Sequence, residues 1–287
     1  MLKVALMPLE QKDLSQLLET AVVAARLGGQ HAMEEIRYVK AVRKSENELV
    51  TQADAQCQQI IVRRIKETYP DHGIIGEEGE QGRIFKQAPR TEPALWWAID
   101  PIDGTNNFAH GIPIFTVSIA AMFEGKPVVG VVFDPATDSM FTAVKGGEAQ
   151  LNGRRIVVSE EDVTKFASVG LDSHFDDPLP AWVAQIMKQS RFRNLGTTAL
   201  QLAYVGTGGL VATVVCAPKL WDIAGGAAVV EAAGGVVTNW LGEKIFPIDL
   251  EHYEGQASHV LAGNKKVHAK LLELIKTQWP HYRGSGT

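Results

Sequence analysis

The chain has 287 residues, of which 45% are hydrophobic and 21% are charged, and its formal net charge is −5. This composition excludes a largely disordered chain and argues against a nucleic-acid polymer as partner, because binding to such a polyanion needs clustered Lys and Arg. The length fits one large domain or two halves that share a cleft, since single hydrophobic cores stop growing at roughly 250 to 300 residues.

Two amphipathic helices are predicted first along the chain. Apolar residues at three- and four-residue steps indicate a helix from Asp13 to about Glu35. A second helix is predicted to begin near Thr51, where Thr51 and Asp54 form a capping-box pattern, and to end before Pro70. The polar segment 38–48 between the two helices is predicted to be a loop.

Short apolar runs, each bounded by turn residues, then predict four strands at 72–76, 94–99, 116–123 and 128–133. The pairs Glu124-Gly125 and Asn152-Gly153 occupy positions where hairpin turns require positive φ. We therefore expect a largely antiparallel sheet in this half, with helices covering one face.

After about Thr164 the pattern changes to alternating strands and helices. The predicted order is strand 166–171, a helix around 182–187, strand 192–195, a helix around Leu200, strand 210–215, an Ala-rich helix from Asp222, strand 260–262 and a helix from about 265 to 279. Such alternation favours a mixed sheet between helix layers. We expect an N-terminal α+β half at 1–164 and a C-terminal α/β half at 165–287.

The most informative segment runs from Trp97 to Phe108, where an apolar strand leads into two aspartates, a glycine and a threonine. Asp100 and Asp103 are so close in sequence that they call for a cationic partner, and the proline between them stiffens the turn. If a helix starts after them, the backbone N–H groups of Gly104 and Thr105 form an anion site beside the carboxylates. The alternative is a turn in which the aspartates act as caps.

Two further acidic segments are candidates for the same site. Glu77 and Glu78 follow a predicted strand and lie between glycines, a pattern that also fits a solvated surface turn. Asp222 precedes the Ala-rich helix, so its alternative role is that of an N-cap. Small residues such as Ala224 and Gly225 would let this helix pack closely against the strand that carries Asp100, as a shared metal site requires.

Taken together, these segments resemble the inositol monophosphatase family, within the wider lithium-sensitive, metal-dependent phosphatases. The family's signatures appear in order at 48–54, 76–78, 97–108, 196–198 and 221–222. The resemblance covers nearly the whole chain. It implies a layered α-β-α-β-α sandwich, a homodimer, sensitivity to lithium and hydrolysis of a phosphate monoester of a small metabolite.

The resemblance also implies two or three Mg²⁺ ions and a protein ligand set for them. Glu77, Asp100 and the carbonyl of Ile102 would hold one ion. Asp100, Asp103 and Asp222 would hold a second, so that Asp100 bridges the two. Carboxylate and carbonyl oxygens suit this hard cation, and two such ions can stabilise both the attacking and the leaving oxygen at phosphorus.

Catalytic and substrate-binding roles are implied in the same way. Glu77, Thr105 and Asp54 would form the catalytic group, in which Thr105 and Asp54 orient or deprotonate the attacking water. The implied substrate contacts are Asp103, Gly104, Thr105, Gly196, Thr197, Thr198 and Asp222. For Asp54 the capping-box role remains open beside the catalytic one.

One departure from the family affects the choice of substrate. Members that favour inositol carry a glutamate seven positions before the aspartate equivalent to Asp222, whereas this chain has Val215 there. A valine cannot accept hydrogen bonds from ring hydroxyls. Beside an inositol 1-phosphate-like substrate, adenosine 3′,5′-bisphosphate, fructose 1,6-bisphosphate and histidinol phosphate therefore stay open. Lys219 is either a contact to a second anionic group or a solvated lysine, and His110 is expected to make a structural hydrogen bond.

Other classes of protein are less consistent with the sequence. Cys57 and Cys216 are its only cysteines, and no signal peptide or apolar run of about 18 residues is evident, so we expect a cytoplasmic protein with no membrane partner. A binding or regulatory protein on the same fold is a further alternative. The retention of four clustered carboxylates argues against it.

Overall fold

The computed structural model describes residues 9–38, 41–43, 49–80, 83–175 and 178–278. Within these ranges the helices are α1 (Gln11–Glu35), α2 (Gln52–Thr68), α3 (Thr105–Ala109), α4 (Ala181–Gln189), α5 (Thr198–Gly206), α6 (Leu220–Ala232) and α7 (Lys265–Gln278). The strands are β1 (Ala41–Arg43), β2 (Leu49–Thr51), β3 (Gly73–Gly76), β4 (Phe85–Gln87), β5 (Leu95–Asp103), β6 (Thr116–Phe123), β7 (Lys126–Asp134), β8 (Ser139–Val144), β9 (Gln150–Leu151), β10 (Arg154–Arg155), β11 (Ser168–Leu171), β12 (Arg191–Arg193), β13 (Ala212–Val215), β14 (Val236–Thr238) and β15 (Val260–Gly263).

Two large sheets organise the chain. The first has eight strands in the order β10-β9-β8-β7-β6-β5-β3-β4, and its pairs are antiparallel except for β3 with β5. The second has five strands in the order β12-β11-β13-β15-β14, with two parallel and two antiparallel pairs. The predicted antiparallel first half and mixed second sheet are both confirmed.

The helices complete a layered sandwich. The outer pair α1 and α2 buries Leu14 and Ile61 against Trp97 of the eight-stranded sheet. Helices α5 and α6 lie between the sheets, and α4 and α7 cover the other face of the five-stranded sheet, where Trp182 and Leu271 are buried. The layers therefore follow the order α-β-α-β-α, which confirms the expected fold class. Among the described residues, no helix has both the length and the apolar character needed to cross a membrane.

Small residues let α6 approach the first sheet closely, as the sequence indicated. A β-carbon at Gly225 would lie 2.9 Å from the carbonyl oxygen of Val131 and 3.0 Å from Oγ of Ser118. The helix also contacts β5, which carries Asp100, but its backbone lies closest to β6 and β7. The apolar surround of α6 is typical of a helix buried on all sides.

The local predictions fared unevenly. Both hairpin pairs have positive φ, with Glu124 at 50° and Asn152 at 50°. The predicted loop at 38–48 was wrong where Ala41–Arg43 forms β1 and pairs with β2, while 39–40 and 44–48 lie outside the described residues, as does 279 at the end of the last predicted helix. Strands β4, β8, β9, β10 and β14 were also missed, and α6 begins before Asp222 rather than after it.

Candidate active site

Three acidic side chains meet at the ends of the central elements of the fold. Strands β3 and β5 are parallel, with Gly76 opposite Ile99, so Glu77 and Asp100 follow at the same edge of the sheet. The N–H of Glu77 donates to the carbonyl of Ile99 at 3.3 Å, which extends the pairing by one residue. Asp222 enters from the first turn of α6, and carboxylate oxygens of Glu77, Asp100 and Asp222 all lie within 4.8 Å of one another.

Asp222 is the third residue of α6 and not its N-cap, which corrects the alternative drawn from the sequence. Its Oδ2 accepts a hydrogen bond from the N–H of Lys219 at 2.7 Å, as in the second half of a capping box. The hydroxyl of Ser118 on β6 donates to the carbonyl of Trp221 at 2.8 Å. These two bonds fix the start of the helix, and with it the carboxyl group, against the sheet.

The electrostatics of this group favour a cation. Burial raises the pKa of Asp100 well above its ordinary value, and the neighbouring charges of Glu77, Asp103 and Asp222 raise it further. Burial also raises the pKa of Asp103 to about 7, with Asp222 adding to the shift and the Thr197 hydroxyl opposing it. The cluster of Glu77, Asp100 and Asp222 offers oxygen atoms alone and includes neither His nor Cys, so the donor set fits Mg²⁺.

The turn after Asp100 holds its own polar atoms in place. Oδ1 of Asp100 accepts the N–H of Ile102 at 3.0 Å. The carbonyl of Ile102, predicted as a metal ligand, lies 3.0 Å from Oγ1 of Thr105, a hydroxyl that can donate to it. The backbone of Ile102 therefore contacts the Asp100 carboxylate through its N–H and the Thr105 hydroxyl through its carbonyl.

Asp103 lies outside the group of three carboxylates and binds the start of α5. Its Oδ2 accepts the N–H of Ala199 at 2.6 Å and the hydroxyl of Thr197, and its Oδ1 accepts the N–H of Thr198 at 3.3 Å. The hydroxyl of Thr116 is an additional contact, 3.4 Å from Oδ2 of Asp103. Asp103 thus joins the first sheet to the start of α5, and its assignment as a metal and substrate ligand stays a prediction.

The Thr105 and Asp54 pair is formed across 51 residues of sequence. Oγ1 of Thr105 lies 3.1 Å from Oδ1 of Asp54. The other carboxylate oxygen, Oδ2, accepts the N–H of Thr51 at 2.9 Å and also its hydroxyl, so the predicted capping box is present. Burial raises the pKa of Asp54 to about 6, although the hydrogen bonds from Thr51 lower it.

A tight turn joins the Asp motif to the short helix α3. Gly104 has φ of 102°, a left-handed conformation that other residues avoid, and its β-carbon position lies 3.1 Å from the carbonyl of Ile114. The amide of Asn107 in α3 donates to the carbonyls of Ile114 at 2.8 Å and Leu195 at 2.7 Å. This brings Gly196, predicted as a substrate contact, next to the turn.

Three residues singled out from the sequence lie around this centre in different settings. Val215 is 3% exposed and packs in an apolar cluster with Ile223 and Val260. Lys219 is the N-cap of α6, and its Nζ lies 5.7 Å from the centroid of the Trp221 ring. His110 makes the expected structural bond, from Nδ1 to the carbonyl of Asn106 at 2.8 Å.

Sequence patterns did not reveal several residues that support the site. Thr116, Ser118, Asn107 and Ala199 each bind a site residue or the backbone beside it, yet none belongs to a local pattern that predicts this. Thr51 is the exception, because its capping box was visible in the sequence and its hydroxyl holds Asp54.

Comparisons with known proteins show what the whole chain is similar to. The model of the inositol monophosphatase family matches residues 13–279. The Nus factor SuhB of Pseudomonas aeruginosa is 34% identical over 275 residues, which cover 92% of this chain and 97% of that protein. A fructose-1,6-bisphosphatase/inositol-1-monophosphatase of Thermotoga maritima is 38% identical over 198 residues, or 69% of this chain and 73% of that protein. A solved IMPase of Thermotoga maritima superposes with a TM-score of 0.79 at 30% identity, covering 91% of this chain and 97% of the other.

Proposed function

The chain belongs to the inositol monophosphatase family, and on that premise we propose that it is a Mg²⁺-dependent phosphatase acting on a phosphate monoester of a small metabolite. The observation that carries the proposal is the meeting of Glu77, Asp100 and Asp222 within 4.8 Å beside a threonine paired with a buried carboxylate. A cluster of carboxylates in which burial and neighbouring charges raise a pKa, as they do at Asp100, is typical of functional sites.

The metal ligands in this proposal are those implied by the sequence. Glu77, Asp100 and the Ile102 carbonyl would hold one Mg²⁺, and Asp100, Asp103 and Asp222 would hold a second, with two or three ions in all. When bound, Mg²⁺ supplies the positive charge that offsets these carboxylates and favours an attacking water and a departing alkoxide at phosphorus. The raised pKa of Asp100 supports this assignment, because burial and the neighbouring carboxylates raise it and a bound cation would offset both effects.

Thr105 and Asp54 carry the proton transfer. A water beside Oγ1 of Thr105 can pass its proton to that oxygen while the hydroxyl proton moves to Oδ1 of Asp54, 3.1 Å away. With a pKa of about 6, Asp54 is ionised at neutral pH yet basic enough to accept that proton. Glu77 lies beside the same water in this proposal and completes the catalytic group.

The substrate lies across the turn between the two halves of the chain. The N–H groups of Gly104 and Thr105 hold phosphate oxygens, and Asp103, Gly196, Thr197, Thr198 and Asp222 contact the alcohol part. The bonds from Thr197 and Thr198 to Asp103 support this grouping, because they bring the two predicted contact segments together.

The preference for one alcohol over another depends on which side chains can accept hydrogen bonds from its hydroxyl groups. Val215 is buried among apolar side chains, so it gives a ring hydroxyl no acceptor. An inositol 1-phosphate-like substrate therefore competes with adenosine 3′,5′-bisphosphate, fructose 1,6-bisphosphate and histidinol phosphate. The relative of Thermotoga maritima named for both fructose bisphosphate and inositol phosphate supports a broad specificity.

A second candidate comes from another functional class. The relative of Pseudomonas aeruginosa, which spans 92% of this chain, is named as a Nus factor, which favours a binding or regulatory role on the same fold. Such a role needs no turnover. Sensitivity to lithium, a cytoplasmic location and a homodimer belong with the phosphatase proposal.

One substrate panel separates the two candidates. Phosphate release is measured from the four compounds above with Mg²⁺ and with excess EDTA. The phosphatase proposal predicts release from at least one compound that stops in EDTA. Folded protein that releases no phosphate from any compound would favour the regulatory role, and release that persists in EDTA would overturn the metal-dependent mechanism.

A further inference from the structure

Gln58 has a buried polar side chain and no role in the catalytic or metal-binding group proposed above. It lies on α2, one turn after Asp54, and is 4% exposed. Residues four apart on a helix share a face. Asp54 and Gln58 therefore project from α2 in the same direction, toward the loops that end β5 and β3.

The amide of Gln58 pairs with a single residue of the backbone beside the metal cluster. Its Nε2 donates to the carbonyl of Glu78 at 2.6 Å, and its Oε1 accepts the N–H of Glu78 at 2.9 Å. A primary amide that binds both the N–H and the C=O of one residue acts like a neighbouring strand. It fixes the orientation of that residue, and not only its distance.

This pairing continues the support that the sheet gives to Glu77. On one side, the N–H of Glu77 is held by the carbonyl of Ile99 in β5. The next residue, Glu78, lies beyond the end of β3, and there the side chain of Gln58 makes the two backbone hydrogen bonds that a neighbouring strand would make. The N–H of Gly79 then donates to the carbonyl of Arg83 at 2.9 Å and closes the turn.

Gly76 makes room for this contact. A β-carbon at Gly76 would lie 2.4 Å from Oε1 of Gln58, so any other residue there would push the amide away. The glycine before Glu77, at the end of β3, thus has a packing reason.

From these contacts we infer that Gln58 is a positioning residue for the metal ligand Glu77 and links the metal site to the helix that carries Asp54. The inference rests on the proposed function, because it concerns the Mg²⁺ that Glu77 holds. Residues that orient metal ligands through hydrogen bonds change metal affinity by about 10- to 100-fold when they are replaced. We expect a loss of that size when the amide is removed.

The test compares Gln58→Met with Gln56→Met by isothermal titration with Mg²⁺ and with Mn²⁺. Methionine keeps the length of the side chain and removes both hydrogen bonds. Gln56 lies on the same helix, and its amide Oε1 is 3.2 Å from Nε2 of His31, so it controls for the loss of an amide from α2. Gln58→Met should weaken metal binding about 10- to 100-fold, and Gln56→Met should leave it within about twofold of the wild type.

A second readout separates positioning from general stability. The N–H of Glu78 should exchange with solvent faster in Gln58→Met than in the wild type, and the Mg²⁺ concentration for half-maximal activity should rise while KM for the substrate changes little. If Gln58→Met does not fold, Gly76→Ala, which displaces the same amide, should show the same weakening. Unchanged metal affinity in the folded variant would overturn the inference alone, whereas a wild type that binds no metal would overturn the proposed function and the inference with it.

Discussion

Replacement of Asp100 by Asn tests the electrostatics of the acidic cluster most sharply. The substitution keeps the shape of the side chain and removes one negative charge from a residue that is 2% exposed. Most substitutions at buried positions destabilise a protein. Here we expect the opposite in the absence of metal, because the charge that is removed repels Glu77 and Asp222.

The size of the effect follows from the geometry of the cluster. Two unit charges at 4.8 Å, the upper limit of separation in this group, repel by about 3.5 kcal/mol at an effective dielectric constant of about 20. Asp100 faces two such partners, and because burial and its acidic neighbours raise its pKa, uptake of a proton can relieve part of the repulsion. We therefore expect a gain of about 1 to 3 kcal/mol without metal, which corresponds to a rise in Tm of roughly 2 to 5 °C for a chain of this size.

Magnesium should reverse the order of the two proteins. At about 100 times its Kd, a ligand that binds only the folded state adds about 2.7 kcal/mol to stability. The wild type should gain this amount with Mg²⁺, and Asp100→Asn should gain almost none. The measurement is thermal unfolding followed by circular dichroism, in EDTA and at several Mg²⁺ concentrations.

Asp134→Asn is the matched control. Asp134 is also buried, at 4% exposure, but its carboxylate accepts hydrogen bonds from Ala136 and Thr137 in a turn that the cluster does not include. This control should lose stability in EDTA and keep the full gain from Mg²⁺. A lower Tm of Asp100→Asn than of the wild type in EDTA, or an equal rise of both with Mg²⁺, would refute the assignment of Asp100 to the metal site.

Three further predictions concern catalysis and the turn that supports it. Thr105→Val should lower kcat by about 10²- to 10⁴-fold in steady-state assays with little change in Tm, because it removes the hydroxyl that faces Asp54. An unchanged kcat would contradict the proton-transfer role. Because burial raises the pKa of Asp54 to about 6, kcat/KM should fall about tenfold per pH unit below pH 6, and Asp54→Asn should abolish this decrease. The same shift affects stability: the contribution of this carboxyl to the free energy of unfolding is full below its unfolded pKa of about 4 and is lost as pH rises through about 6. Denaturant titrations at several pH values would show this loss. Gly104→Ala should lower the free energy of unfolding by about 1 to 3 kcal/mol, since it forces φ of 102° on a residue with a β-carbon 3.1 Å from the carbonyl of Ile114, and an unchanged denaturation midpoint would exclude that strain.

Local chemistry made parts of the fold predictable. The capping box at Thr51 and Asp54 set the start of α2, and the Asn152-Gly153 pair set a hairpin turn, because each depends on residues within one turn of the chain. Strands such as Thr116–Phe123 were equally predictable, since a strand that is buried along its whole length appears in the sequence as an uninterrupted run of mostly apolar residues.

Features that depend on distant partners were not predictable. The three residues of β14 form a strand only because β15 pairs with them, and Ala41–Arg43 needs β2 in the same way. Asp222 was misplaced at a helix boundary because an aspartate favours both the N-cap and the third position, and the apolar residues before it hid the true start.

The candidate site likewise has features that were predictable from local sequence and features that depend on distant partners. The sequence placed Glu77 and Asp100 at strand ends, and the parallel pairing of β3 with β5 explains why they meet. The bonds from Asp103 to the start of α5 join residues 94 to 96 positions apart, and no pattern within either segment predicts them. The division into halves at 1–164 and 165–287 and the homodimer stay predictions.

The central claim is that Asp100, Glu77 and Asp222 bind the metal on which phosphate hydrolysis depends. The most direct measurement is the anomalous scattering of crystals soaked in Mn²⁺ and inorganic phosphate. The account predicts a peak in contact with the Asp100 carboxylate and with Glu77 or Asp222, and phosphate density next to it. Crystals that bind Mn²⁺ elsewhere, or show no peak between these three residues at saturating Mn²⁺, would contradict the claim.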